Sequence, residues 1–395
     1  MERRSEVFMD AWKNAKRIYL DHAATTPLDE EVLQKMLPYF RENFGNADSP
    51  HSLGRRAMGA VDSARDEIAA LIGARPSEVF FTSGGTESDN WAMRIGAYAQ
   101  KANGRTEIAV STIEHHAVIE SAKKLEDEGF VIRWIPVNEG GRVALNDVKT
   151  CVNEKTALIC VMTANNETGV IQPVREIADL AHENGALFFT DAVQAAPYMP
   201  IDVKAFGADM LSFSAHKFYG PKGCGVLYVR SGVKVEKLIV GGEQEKGLRG
   251  GTTNVPAVVG ISAAYQKNVA TMSETNEKIK RLRALFLQEI EGLEGVIVNG
   301  EGEGIPSVLN LRFQGIDNVS FLYKMDLQGV CLAAGSACAS ASVKPSHVLT
   351  AMGLTEQEAR ESVRFSFGKD NTEEEILFSA RLVKDTVASL RGFGD

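Results

Sequence analysis

The chain has few of the features that mark several protein classes. It holds five cysteines in 395 residues, Cys151, Cys160, Cys224, Cys331 and Cys338, and no two are spaced as Cys-x-x-Cys. An odd, scattered set argues against a disulfide framework and for a reducing, cytoplasmic setting, where a single reactive thiol is worth seeking. No run of about 18 apolar residues occurs, so no membrane span is expected. Met1–Arg17 mixes both charge signs without an apolar stretch, unlike a signal peptide or an acid-poor transit peptide. Positive charge is not in excess: 43 Lys+Arg against 52 Asp+Glu give a net −9. Such a chain repels polyphosphate, and direct nucleic-acid binding is not expected. There is no internal repeat and no low-complexity linker.

What is present is an ordinary globular composition, 44% apolar and 24% charged, in a chain long enough for two domains. Apolar, β-rich runs fall at Val79–Phe81, Ile108–Val110, Val131–Ile135, Leu158–Met162, Ala186–Phe189, Met210–Phe213 and Gly225–Val229. Helical patterns lie between them, among them Ala60–Ile72, Glu87–Ala99 and Val174–Glu183. This alternation predicts an α/β fold with a mainly parallel central sheet and helices on both faces. Near residue 260 the pattern changes to a long helical stretch, Ile261–Leu293, then strands near Ser307–Phe313 and Ser362–Ser366 and a final helix. The expected division is a large domain over 25–260. A smaller α+β domain is made of 1–24 and 261–395. In such sheets ligands sit at the carboxyl ends of the strands, so polar residues just after the apolar runs carry the functional reading.

Six segments qualify. Phe80-Phe81-Thr82-Ser83-Gly84-Gly85-Thr86-Glu87-Ser88 runs from strand through glycines into a helix. It is either a phosphate cradle of backbone N–H groups or a plain helix cap. No Gly-Lys-Ser/Thr follows, which disfavours a nucleotide-hydrolysing P-loop. Asp191, behind Leu187-Phe188-Phe189-Thr190, either caps the next helix or pairs with a protonated ring nitrogen. Lys217, in Ser214-Ala215-His216-Lys217, is an exposed solubiliser or a desolvated Schiff-base lysine. His115, in Ser111-Thr112-Ile113-Glu114-His115-His116, either packs or lies against a ring and moves protons. Adjacent histidines seldom point the same way, so a metal site here is a weak reading and none is assigned. Cys338, in Ala333-Ala334-Gly335-Ser336-Ala337-Cys338-Ala339-Ser340, is a small buried residue or a reactive thiol on a loop. Arg364 alternates against Val363, Phe365 and Phe367, and either forms a structural ion pair or grips a carboxylate.

Taken together these residues resemble the cysteine desulfurase family of the NifS and IscS type, with the class V aminotransferase fold. The resemblance runs from Tyr19-Leu20-Asp21-His22-Ala23-Ala24-Thr25-Thr26-Pro27 to Arg364-Phe365-Ser366-Phe367-Gly368. It implies the type I fold of pyridoxal-phosphate enzymes. Lys217 would hold pyridoxal 5′-phosphate and shuttle the substrate Cα proton. Asp191 would pair with the ring nitrogen, His115 would stack on the ring, and Gln194 and Asn166 would contact its oxygen region. Gly85, Thr86, Ser214 and His216 would hold the phosphate, with Thr252 reaching it from the partner subunit of a homodimer. Arg364 would bind the substrate carboxylate, and Cys338 would take sulfur from L-cysteine as a persulfide, leaving L-alanine. A sulfur-acceptor protein then serves iron–sulfur cluster, thio-cofactor or tRNA synthesis.

Some residues depart from the commonest family pattern. Gly85 stands where many relatives have Ala, Ala215 where many have Gly, and Glu243 replaces a frequent Gly. The chain stops at Asp395, short of the longer tail with which some members dock an iron–sulfur scaffold. Other readings of the same residues are selenocysteine cleavage, transamination, or a non-enzymatic pyridoxal-binding regulator. A transaminase has no use for Cys338, and no helix-turn-helix extension precedes Tyr19.

Overall fold

In the computed structural model, which describes residues 17–335 and 345–392, the apolar runs become strands alternating with helices. The strands are β1 Ile18–Tyr19, β2 Val79–Thr82, β3 Glu107–Ser111, β4 Val131–Ile135, β5 Thr156–Cys160 and β6 Leu187–Asp191. They continue as β7 Met210–Ser214, β8 Gly225–Val229, β9 Val296–Asn299, β10 Val308–Phe313, β11 Val330–Cys331 and β12 Ser362–Ser366. Seven form the central sheet, in the order β2-β8-β7-β6-β5-β3-β4. Only β8 runs against its neighbours; the other pairings are parallel. A second sheet, β12-β10-β9, is antiparallel, and β1 pairs with β11.

Every apolar run expected to be a central strand is one, but two shift. The strand expected over Leu158–Met162 is Thr156–Cys160, and that over Ala186–Phe189 is Leu187–Asp191. Buried hydroxyls explain the second shift, since Thr190 bonds Thr163 between side chains at 2.8 Å and so stays in the sheet. Asp191 is therefore the last residue of its strand. The sequence reading passed over β9, an edge strand with Ile297 and Val298 half exposed, and the two-residue strands β1 and β11.

The helices that shape the site are α1 Ser52–Leu71, α2 Gly85–Ala99, α3 His116–Asp127, α4 Val174–Glu183, α5 Val255–Glu289, α6 His347–Ala351 and α7 Glu373–Arg391. Helix α1 begins well ahead of the expected Ala60, because His51 accepts the Gly54 N–H and Gly54 and Ala57 extend the buried face of Val61, Ala64 and Ile68. Helix α5 starts at Val255 rather than Ile261: Asn254 accepts the Ala257 N–H and Pro256 occupies the first turn, where its missing N–H is harmless. It packs on α1 and α7, joining the central sheet to the C-terminal elements.

Strand alternation divides the core. Phe80, Cys160 and Phe189 face one side with Trp91, Ile95, Val118 and Leu125 from α2 and α3. Phe81, Ile159 and Phe188 face the other with Val61, Ile177 and Ile261 from α1, α4 and α5. With apolar layers on both faces, the polar ends of the strands are the open positions. Among the described residues, no helix is long and apolar enough to cross a membrane.

One contact fixes the turn after β2. A Cβ added to Gly225 of β8 would lie 2.6–2.9 Å from backbone atoms of Gly84. Backbone cannot rotate aside as a side chain does, so we expect Gly225→Ala to destabilise the protein by about 1–3 kcal/mol. A urea midpoint lowered at constant m-value checks this; an unchanged midpoint refutes it.

Candidate active site

Five strands of the central sheet run parallel and deliver their C-terminal residues to one edge: β2 to Gly84 and Gly85, β3 to His115, β5 to Asn166, β6 to Asp191, and β7 to His216 and Lys217. A cavity of about 210 Å³ opens there. Its walls include Gly85, Thr86, His115, Asn166, Asp191 and Gln194, and also Ser214, His216, Lys217 and Arg364. Residues distant in sequence thus meet because parallel strands end together.

Several of these residues do the modest job and face the cavity as well. Asp191 accepts the Val193 N–H at 2.8 Å, which is a turn cap, and its carboxyl is buried at the cavity floor. His115 caps α3, its Nδ1 accepting the Ala117 N–H at 3.1 Å. That bond leaves the proton of the neutral ring on Nε2. Arg364 makes an ion pair with Asp21 at 2.8 Å and donates to the Asn166 carbonyl at 2.9 Å, while 1% exposed. Arg364 forms the expected ion pair, whereas Asp191 caps a turn because no helix follows it directly, and His115 caps a helix where packing was expected.

Lys217 closes a short turn after β7. Its Nζ donates to the carbonyls of Ala23 (2.5 Å) and Ala24 (2.9 Å), and Gln194 donates to the same Ala23 oxygen at 2.7 Å. The 22–26 segment also grips the turn through Thr26, whose N–H and hydroxyl both donate to the His216 carbonyl and whose hydroxyl accepts the Tyr219 N–H. Tyr219 has φ 64°, a strained conformation for a bulky residue, held by these contacts and by the Lys369 N–H bonded to its hydroxyl. His216 Nδ1 meets the Thr25 hydroxyl at 3.1 Å.

At the other end of the cavity, Gly84 precedes α2 with φ 152° and no side-chain cap bond. The first N–H groups of that helix therefore remain available to an anion. A Cβ at Gly85 would lie 2.9 Å from Val193 Cγ2. Val193 takes the space that an alanine at 85 would need, a physical reason for glycine in this chain.

Burial governs the charges. His115 is pushed down to about 4 by desolvation, then by Lys217 and the neighbouring histidines. His216 is pushed down to about 3 by desolvation and by Lys217 and Lys222. Both rings are neutral near pH 7. Asp191 and Asp89 are both buried, and desolvation pushes both carboxyls up. Lys217 and the Val193 N–H draw Asp191 back toward its charged form, whereas Asp89 is pushed further up by Asp191 itself. Ser212 connects the pair: it sits opposite Asp191 in the β6–β7 ladder and its hydroxyl donates to Asp89 at 2.5 Å.

Asp89 and Glu114 were not singled out from sequence. Their signal is an acid within an otherwise apolar helix face, and an acid between a strand and a histidine cap. Thr252 lies apart from the main cavity, in a second recess with Ser83, Arg249 and Thr253. That loop is tied to α2 by Arg249, which bonds both carboxylate oxygens of Glu87 at 2.8 and 3.0 Å. Cys338 lies outside the described residues.

Glu114 provides a test of the electrostatics. It is fully buried, accepts the Met162 N–H at 2.7 Å, and desolvation pushes its pKa to about 8. A raised carboxyl contributes stability that is present below its unfolded pKa and lost as pH rises through the folded value. Buried neutral histidines act oppositely, but only below their unfolded pKa near 6.5. Between about pH 6.5 and 8 the raised acids act, and Glu114 by itself should cost the cofactor-free protein about 2 kcal/mol across that window. Glu114→Gln should flatten this slope in denaturant unfolding; an unchanged slope would show that Glu114 is charged.

With the geometry in view, comparison with known proteins is informative. The aminotransferase class-V model matches residues 18–377. Cysteine desulfurase IscS of Clostridium botulinum (strain Hall) is 45% identical over 380 residues, 95% of this chain and 96% of that protein. Putative cysteine desulfurase IscS 1 of Bacillus subtilis (strain 168) is 47% identical over 379 residues, 95% of this chain and all of that one. Among solved structures, a NifS-like protein superimposes with a TM-score of 0.89 at 36% identity, covering 95% of this chain and 100% of its own. A lysine turn, a buried strand-end aspartate and a glycine-led helix sharing one sheet edge, with kinship over nearly the whole length, make this chain a member of the class-V aminotransferase family, in its NifS/IscS-like cysteine desulfurase group.

Proposed function

We infer that the protein is a cysteine desulfurase that converts L-cysteine to L-alanine and retains the sulfur as a persulfide on Cys338. The observation that carries this reading is the convergence of Lys217, Asp191 and His115 on the cavity beneath the α2 N-terminus. This donor set fits pyridoxal 5′-phosphate: an amine for the aldehyde, a buried carboxylate for a protonated ring nitrogen, and backbone N–H groups for a phosphate. Gly85, Thr86, Ser214 and His216 would hold the phosphate, Asp191 the ring nitrogen, and Asn166 and Gln194 the ring-oxygen side. Thr252 sits in the neighbouring recess, which favours its serving the other subunit of a homodimer.

When bound, the cofactor supplies an electron sink for the substrate Cα. The rest of the work falls to the chain. Arg364, braced by Asp21 and the Asn166 carbonyl, keeps further guanidinium N–H groups to bind and orient the substrate carboxylate. Lys217 moves the Cα proton from its place beside the Ala23 and Ala24 carbonyls. His115, neutral through burial, presents its Nε2 side to the cavity without adding positive charge. Cys338 takes the sulfur: the cysteine C–S bond breaks, a S–S bond forms, and carbon gains a proton. L-cysteine and one thiol thus become L-alanine and one persulfide, with no outside oxidant. A sulfur-acceptor protein then collects the sulfur for iron–sulfur cluster, thio-cofactor or tRNA synthesis.

Cys338→Ser should keep the cofactor absorbance and lose sulfide release from L-cysteine with dithiothreitol present. Full sulfide release by that variant would sink the persulfide reading. Arg364→Ala should raise the cysteine KM and lower kcat/KM by about 10²-fold, since a charge-assisted contact is lost. Steady-state kinetics decide this, and an unchanged KM counts against the assignment.

A further inference from the structure

Glu167 has no part in the mechanism above, yet it is 1% exposed and lies beside Asn166 in the Asn165–Gly169 turn. The turn is rigid: Asn165 Oδ1 accepts the N–H groups of Glu167 (2.8 Å) and Thr168 (3.0 Å), and Asn310 donates to the Glu167 carbonyl at 3.1 Å. Among the described residues, no lysine or arginine forms an ion pair with the Glu167 carboxylate. Its contacts there lead to two other residues. Ser346 donates its hydroxyl to Oε2 at 2.5 Å. Gly335 packs against the same group, where a Cβ would lie 3.0 Å from Oε2 and 3.4 Å from Cδ.

These two residues flank the segment that contains Cys338. On one side, Gly335 follows Ala333, whose carbonyl accepts the Arg364 N–H at 2.7 Å. On the other, Ser346 caps α6 through the Leu349 N–H at 3.2 Å, and His347 bonds the Glu114 carbonyl at 2.9 Å. One buried carboxylate therefore meets both flanks, and its own turn presents the Asn166 carbonyl to Arg364.

We propose that Glu167 is a positioning residue for sulfur transfer, fixing Gly335 and Ser346, and with them both flanks of the Cys338 segment, to the turn that carries Asn166. The proposal rests on the reading that Cys338 receives the sulfur. It accounts for a buried acid in contact with a glycine: a Cβ at 335 would press on the carboxylate and displace it by a few tenths of an ångström. Its loss should leave cofactor and substrate binding in place and impair only the arrival of the thiol at the substrate sulfur.

The test uses the full-length holoenzyme as wild type, Glu167→Ala, Glu167→Gln and Gly335→Ala. Three readouts are taken: the cofactor absorbance, its change on adding L-cysteine, and the mass of the Cys338 peptide after a single turnover. Glu167→Ala should keep both optical signals and form the persulfide about 10- to 100-fold more slowly. Glu167→Gln retains an oxygen to accept from Ser346 and should recover to within about threefold. Gly335→Ala should resemble Glu167→Ala, and it carries the same comparison if Glu167→Ala does not fold. Persulfide formation at the wild-type rate in Glu167→Ala would overturn the proposal. So would a parallel loss of the cysteine-induced optical change, which marks general structural damage. Failure of the underlying reading looks different: the wild type itself would release sulfide with no added mass on Cys338.

Discussion

Arg364 is the constraint on which the site depends. A guanidinium that is 1% exposed must find compensation inside the protein, because breaking a buried ion pair leaves a charge that water cannot reach. It finds Asp21 from the segment after β1 and the Asn166 carbonyl from the turn after β5, while its backbone pairs with Ala333. Three distant parts of the chain are thereby held against β12. Asp21 belongs to the segment whose Ala23 and Ala24 carbonyls hold Lys217. Arg364 and Lys217, the two groups to which the proposed function assigns substrate binding and proton transfer, are placed by one connected set of contacts.

The second organising effect is desolvation. It acts in opposite directions on bases and acids, holding His115 and His216 neutral and pushing Asp89, Asp191 and Glu114 toward their protonated forms. The result is a cavity whose fixed charge is confined to its amine, its strand-end carboxyl and the paired guanidinium of Arg364. A ligand with a phosphate and a protonated ring meets complementary groups there instead of a competing crowd of ions. The strained Tyr219 belongs to the same economy of space, since its backbone bends so that the Lys217 turn can close against Thr26.

Legibility in the sequence varied with the type of signal. Central strands were readable because a strand buried on both faces is a continuous apolar run, as in Leu187-Phe188-Phe189. The edge strand β9, with half its side chains in water, lacks that signal. Helix starts were misplaced where a cap was a histidine, at His51, or where a proline hid the first turn, at Pro256. Asp191, Lys217 and His115 stood out as polar residues behind apolar runs. Asp89 and Glu114 did not, because a carboxylic acid kept neutral by burial is written with the same letter as one in solvent. Arg364 both forms an ion pair and lines the cavity, while the turn cap at Asp191 and the helix cap at His115 depend on backbone that only the folded chain brings into place.

Legible from the residues alone were the alternation of central strands and helices, the sheet edge on which polar residues collect, and the kinship of the chain. These follow from local periodicity and residue type, which need no partner to be read. Only the tertiary structure decided which backbone oxygens hold Lys217, which acid braces Arg364, which groups lose their charge, and that Glu167 meets both flanks of the Cys338 segment. Each of those depends on atoms brought together from far apart along the chain and on the water excluded when they meet, and neither is encoded in any one stretch of residues.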